Sequence, residues 1–150
     1  MIMEKEIMKE LEKHLRNYNT YKEEILDIEE SIINNSGVNN GIKSKHRISK
    51  TVEKLAIDIA SNERINYLKY WVNLIDDLRL ELIDDPIKTK LIQYKYIDLN
   101  YNEKISDMQV LEKLEAAGFP MSKNLYYVTK EQIFYKFEKM AKLREKNRLF

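Results

Sequence analysis

Few side chains in this sequence are equipped for chemistry, and they lie far apart. The histidines are His14 and His46, and two aspartate pairs stand at Asp76-Asp77 and Asp84-Asp85. A carboxylate pair can bind a divalent cation, but solvated helix surface, or a helix cap before Pro86, explains these pairs more simply. His14 falls on an apolar seam, where a packed side chain is commoner than a ligand, and Trp71 with Leu68 and Ile75 reads as core packing. The chain has no cysteine, which removes disulfides, thiolate nucleophiles and thiolate metal sites. With 3 glycines and 2 prolines it lacks the means for phosphate-cradling loops. The expectation is a protein that is not an enzyme and uses neither cofactor nor metal.

Charge is more informative. The 150 residues sum to only +1, yet the sign varies along the chain. Residues 1–40 and 56–85 are each −4, 41–55 is +4, and 118–150 reaches +5 with 8 basic and 3 acidic side chains. A basic C-terminal segment thus follows acidic ones. Placed on a helical wheel, its outward face carries Gln132, Tyr135, Lys139, Lys142 and Lys146, with Glu131 and Glu138 among them, flanked by Lys130 and Lys136, with Thr129 opening the helix. Lys and Gln contact phosphates and base edges, and Tyr can meet phosphate or a thymine methyl. A solvated basic face is the competing explanation.

The elements that would carry these residues follow from the breakers. Glycines and prolines occur only at Gly37, Gly41, Pro86, Gly118 and Pro120. The long Glu-, Lys-, Leu- and Ile-rich stretches between them read as helices, so the fold class is all-α. Ile7, Leu11, His14, Tyr18, Tyr21, Ile25, Ile28 and Ile32 step by 4 and 3 residues, an a/d seam for one first helix. A polar connector over 34–48 leads to a second helix from Ser49 to Asp84, roughly 54 Å long at 1.5 Å per residue, with a phase break near Asn62. The expected arrangement is a long antiparallel helical hairpin and oligomerisation region over 1–85, then a C-terminal module over 86–150. In that module Asp84 or Asp85 caps a helix at Pro86, and Ser106 caps a helix burying Val110, Leu111 and Leu114. Gly118 and Pro120 end that helix, and a last one begins at Thr129 with Ile133, Phe134, Phe137, Met140 and Ala141 inward. Leu125-Tyr126-Tyr127-Val128 is the one run with β character, inside a 119–128 insertion between the last two helices.

A short capped helix, a glycine-containing turn and a basic helix form the order of a helix-turn-helix. The stretches Pro86–Tyr96, Ile105–Leu114 and Val128–Arg144 resemble the region-4-type helix-turn-helix of sigma factors. More closely, they are similar to phage late-transcription regulators of the ArpU and RinA type, whose last helix reads like Thr129-Lys130-Glu131-Gln132-Ile133-Phe134-Tyr135-Lys136 here. The resemblance covers 86–150 in motif and the remainder in architecture only. It implies a sequence-specific regulator, an activator of late phage genes acting on double-stranded DNA in the host cytoplasm. Thr129, Lys130, Gln132, Tyr135, Lys136, Lys139, Lys142 and Lys146 would be its DNA-binding residues. Host RNA polymerase and a second copy of the chain are the further partners expected, and the basic stretch Lys43–Lys54 would add phosphate contacts. The alternatives are a small terminase-like packaging subunit and a helical interaction or inhibitor protein that does not bind DNA. The chain opens without an apolar run of the secretory kind, and no segment reaches transmembrane length, so no membrane partner is expected.

Overall fold

The computed structural model describes residues 4–35, 52–59, 62–99 and 103–148. Every regular element among them is helical and no strand occurs, in agreement with the all-α expectation. The helices are α1 (Lys5–Arg16), α2 (Tyr18–Asn35), α3 (52–59), α4 (Glu63–Glu81), α5 (Pro86–Ile92), α6 (Asp107–Ala116) and α7 (Lys123–Arg148), and a π-helical turn, Gln93–Ile97, extends α5. No helix among the described residues is long and apolar enough to cross a membrane. Most of the 34–48 connector and most of the basic stretch Lys43–Lys54 lie outside the described residues.

Two helices expected to be continuous are interrupted, each at an asparagine. The first stops at Asn17 and resumes at Tyr18. The amide of Asn19 donates to the carbonyls of Ile97 (2.8 Å) and Leu99 (3.3 Å), which supplies partners to backbone oxygens at the end of the π turn. The second helix breaks at Asn62, whose side-chain oxygen accepts from the amide of Ile65 at 2.9 Å and so starts α4 afresh. The phase break near Asn62 is therefore a cap, and no 36-residue helix forms.

The chain divides into two compact units: Met1–Asn19 with Asn73–Phe150, and Thr20–Val72. The larger unit crosses the 85/86 boundary expected from sequence, because α1 packs on α7 and on the π turn. Its core joins Leu11 and Leu15 of α1, Leu74, Ile75 and Leu78 of α4, and Leu91, Ile92 and Tyr96. Val110 and Leu114 of α6 and Tyr126, Ile133, Phe134 and Phe137 of α7 complete it. Tyr96 meets Phe134 edge to face at 6.4 Å. In the smaller unit Tyr21, Ile65, Leu68 and Val72 are buried, and Arg64 and Lys69 pair with Glu24 (2.8 Å) and Glu29 (3.3 Å). Trp71 is only half-buried, standing edge-on to Tyr70, and is not the core residue its spacing suggested.

Local chemistry explains the junctions of the larger unit. Asp85 accepts from the amide of Lys88 at 3.2 Å and Pro86 occupies the first turn of α5, as the sequence predicts. Ser106 and Gln109 form a reciprocal capping box at the start of α6. At the end of α6, the amide of Phe119 bonds to the Leu114 carbonyl (2.9 Å) and that of Gly118 to Glu115 (3.0 Å). These are the two bonds of a Schellman motif, and Gly118 supplies the positive φ it requires, +94°.

Candidate nucleic-acid interface

α7 begins earlier than its sequence suggested. Ser122 accepts from the amide of Leu125 at 3.1 Å and caps the helix there, so α7 starts at Lys123 and not at Thr129. Leu125–Val128 is helical despite its β-forming residues, and residues 117–122 are the whole link between α6 and α7. The 119–128 insertion is therefore mostly the opening turns of the last helix. A 26-residue helix of about 39 Å results.

The earlier start changes what several site residues do. Thr129 is buried at 7% exposure and donates its hydroxyl to the Leu125 carbonyl (2.8 Å). Lys130 is also turned inward: its ammonium lies 3.2 Å from Glu12 and 3.7 Å from Asp107, with 13% of the side chain exposed. Lys136 is half-buried and pairs with Glu81 of α4 at 3.3 Å. Gln132, Tyr135, Lys139, Lys142 and Lys146 are exposed together on one face, as the wheel placed them. Lys142 reaches Glu138 at 2.6 Å, and the ammonium of Lys139 sits 5.9 Å above the Tyr135 ring.

Lys130 belongs to a polar cluster inside the larger unit. Glu12 accepts from the Tyr96 hydroxyl at 2.6 Å and pairs with Arg16 at 3.1 Å as well as with Lys130. Asp107 accepts from the Tyr126 hydroxyl at 2.6 Å and pairs with Lys95 at 3.2 Å, while Lys95 donates to the Ile105 carbonyl at 2.7 Å. Burial by itself raises the pKa of both carboxyls. For Glu12 the Tyr96 hydroxyl, Lys130 and Arg16 outweigh it; for Asp107, Tyr126, Lys130 and Lys95 do. Both acids are held below the usual carboxylate range. The same burial, with the facing carboxylates, pushes the Tyr96 and Tyr126 hydroxyls up, so both stay protonated donors. Every ion here has an opposite partner, and among the described residues no buried side-chain polar atom lacks a hydrogen bond. The cluster fixes α1, the π turn, α6 and α7 to one another.

His14 is buried at 1% exposure with Glu10 3.3 Å away; burial drives its pKa down against the opposing pull of Glu10. Among the described residues no group of three or more histidines and carboxylates could hold a metal ion.

Sequence reasoning missed Lys123, Asn124 and Val128, all exposed on the opening turns of α7. The signal was present in Ser122, a good N-cap two residues after the Gly118-Phe119-Pro120 breaker. At about 100° per residue, Asn124, Val128, Gln132, Tyr135, Lys139, Lys142 and Lys146 fall within about 80° of arc. The row is apolar and amide-bearing at its start and cationic at its end, and the opposite face holds Tyr126, Thr129, Ile133 and Phe137 against the core. The chain matches no protein-family model, no curated protein and no solved structure.

Proposed function

We propose that the chain is a sequence-specific DNA-binding regulator that lays the exposed row of α7 in the major groove. The row is the observation that supports this reading. It joins side chains that recognise base edges to side chains that hold phosphate, on a helix long enough to cross the groove, with α6 and the Gly118 turn before it. Asn124 and Gln132 offer amides suited to adenine, and Val128 and Tyr135 offer apolar surface suited to a thymine methyl. Lys139, Lys142 and Lys146 lie further along, where an entering helix meets the backbone. Thr129 and Lys130 contribute by holding the helix in place and not by touching DNA. Late phage genes as targets, activation as the sign, the host cytoplasm and contact with RNA polymerase are part of the same proposal and rest on the motif resemblance alone.

Fluorescence anisotropy on duplex fragments from the native genomic neighbourhood tests the reading. With a net charge of +1 there is little general attraction for polyanions, so random duplex should bind weakly at physiological salt and one fragment tightly. Ala at Asn124, Gln132 or Tyr135 should cost about 1–3 kcal/mol on that fragment and little on random DNA. Ala at Lys139, Lys142 or Lys146 should weaken all duplexes alike and lower the log–log salt slope by about 1 each. If no fragment binds, the reading fails and the helical interaction protein takes its place.

A further inference from the structure

Toward its C-terminal end α7 changes character. Between α7 and the last turn of α4 lies an open cavity of about 420 Å³ lined by Glu81, Lys136, Lys139, Met140, Lys142, Leu143 and Lys146. We propose that this groove docks an acidic amphipathic helix of a partner protein. The proposal does not require the DNA reading, but Lys139, Lys142 and Lys146 belong to both surfaces, so duplex and docking helix would compete for them.

Leu143 carries the first part of the argument. It is 60% exposed, and it stands one turn beyond Lys139 and one turn before Lys146 with Met140 beside it. A leucine among lysines adds nothing to a solvated face or to a phosphate contact, because phosphate oxygens gain nothing from an apolar neighbour. It does suit a ligand with an apolar ridge between charged flanks. The second part is charge. Of the four rim lysines, Lys136 and Lys142 already meet Glu81 and Glu138, whereas among the described residues Lys139 and Lys146 have no carboxylate within reach. A docking helix with carboxylates beside its apolar ridge would complete those two pairs, and a basic or neutral helix would not. The third part is shape. Arg144 pairs with Asp77 and Lys136 with Glu81, so the groove lies along a seam where α7 and α4 meet through side chains of both helices. A groove read by apolar anchors at i, i+3, i+4 and i+7 is a recurring mode of helix recognition.

The test titrates the full chain into a fluorescein-labelled peptide of about five helical turns, with Leu at i, i+3, i+4 and i+7 and Glu on the flanks. A scrambled peptide of the same composition, a random duplex and phosphatidylglycerol vesicles are the comparison arms. The patterned peptide should bind saturably and roughly tenfold or more tighter than the scrambled one. Leu143→Ser, which keeps the charge, and a Lys139→Gln/Lys146→Gln pair should each weaken it roughly tenfold. Leu143→Ser should leave duplex binding unchanged, so loss of DNA binding and loss of peptide binding are separable. Circular dichroism checks that each variant keeps its helix content. Equal binding of the two peptides, no saturable peptide binding, or a Leu143 dependence seen on duplex or vesicles in place of peptide would each overturn the proposal.

Discussion

The ammonium of Lys130 lies 3.2 Å from the carboxylate of Glu12, tying the last helix to the first. Lys130 also reaches Asp107 at 3.7 Å, so a single side chain bridges α1 and α6 from α7. Removing one carboxylate would leave a mostly buried cation and a tyrosine hydroxyl short of a partner. Glu12→Gln or Asp107→Asn should each destabilise the fold by about 1–3 kcal/mol in urea unfolding. A cost near zero would mean that solvent screens these pairs fully.

Two acidic losses of stability should be separable. The pKa of His14 is depressed in the folded state, so its contribution is complete above the ordinary histidine value of 6.5 and is lost as pH falls through the depressed one. Glu12 and Asp107 are likewise depressed, from 4.5 and 3.8, so their stabilisation is present above those values and lost as pH falls through the lower ones. Unfolding free energy against pH should decline first below 6.5 and again below 4.5. His14→Phe should remove the first decline, and Glu12→Gln with Asp107→Asn should shrink the second.

The turn before α7 offers a backbone test. Gly118 has φ +94°, and a Cβ there would meet nothing within 4 Å, so the cost of Gly118→Ala is conformational and not steric. It should be about 1 kcal/mol. Ser122→Ala should cost about 1 kcal/mol through the lost cap. If α7 began at Thr129, Ser122→Ala would be neutral in thermal unfolding.

The seam expected along the first helix has two fates. Leu11, His14, Tyr18 and Tyr21 are buried within the chain, whereas Ile25, Ile28 and Ile32 are half-exposed and Leu26 is 60% exposed. A stripe with that spacing favours another helix. Sedimentation should find a dimer or larger species at tens of micromolar, about the range for a modest interface, and Ile28→Glu should shift it toward monomer. A strict monomer in the wild type would show the stripe to be satisfied internally.

What the sequence disclosed and what it hid follow a physical line. Asp85 before Pro86, the Ser106–Gln109 box and the glycine at the end of α6 act within a few residues, and all were readable. The break at Asn17 was not, because apolar spacing runs on through it; at Asn62 the shift of phase was legible, but not that the asparagine side chain would cap a new helix there. Leu125–Val128 looked β-forming, yet Ser122 caps it and Tyr126 finds Asp107, so tertiary context overrode propensity. The outward row from Gln132 to Lys146 could be placed because the buried aromatics fix the wheel. Lys130, which the wheel sets at the flank of that row, turns inward because its partners, Glu12 and Asp107, lie elsewhere in the chain, and a wheel carries no such information.

The clasp between Glu12 and Tyr96 spans 84 residues of sequence. Closing a loop that long costs entropy before the contact repays it, which makes the clasp a late event in folding. During synthesis α1 therefore waits, an amphipathic helix without its pocket, until the ribosome has released the π turn, α6 and α7. A translation arrest short of α7 would release a chain in which α1 and Tyr96 lack the face that α7 covers. The packing of the first helix is thus completed only when the last one has been made.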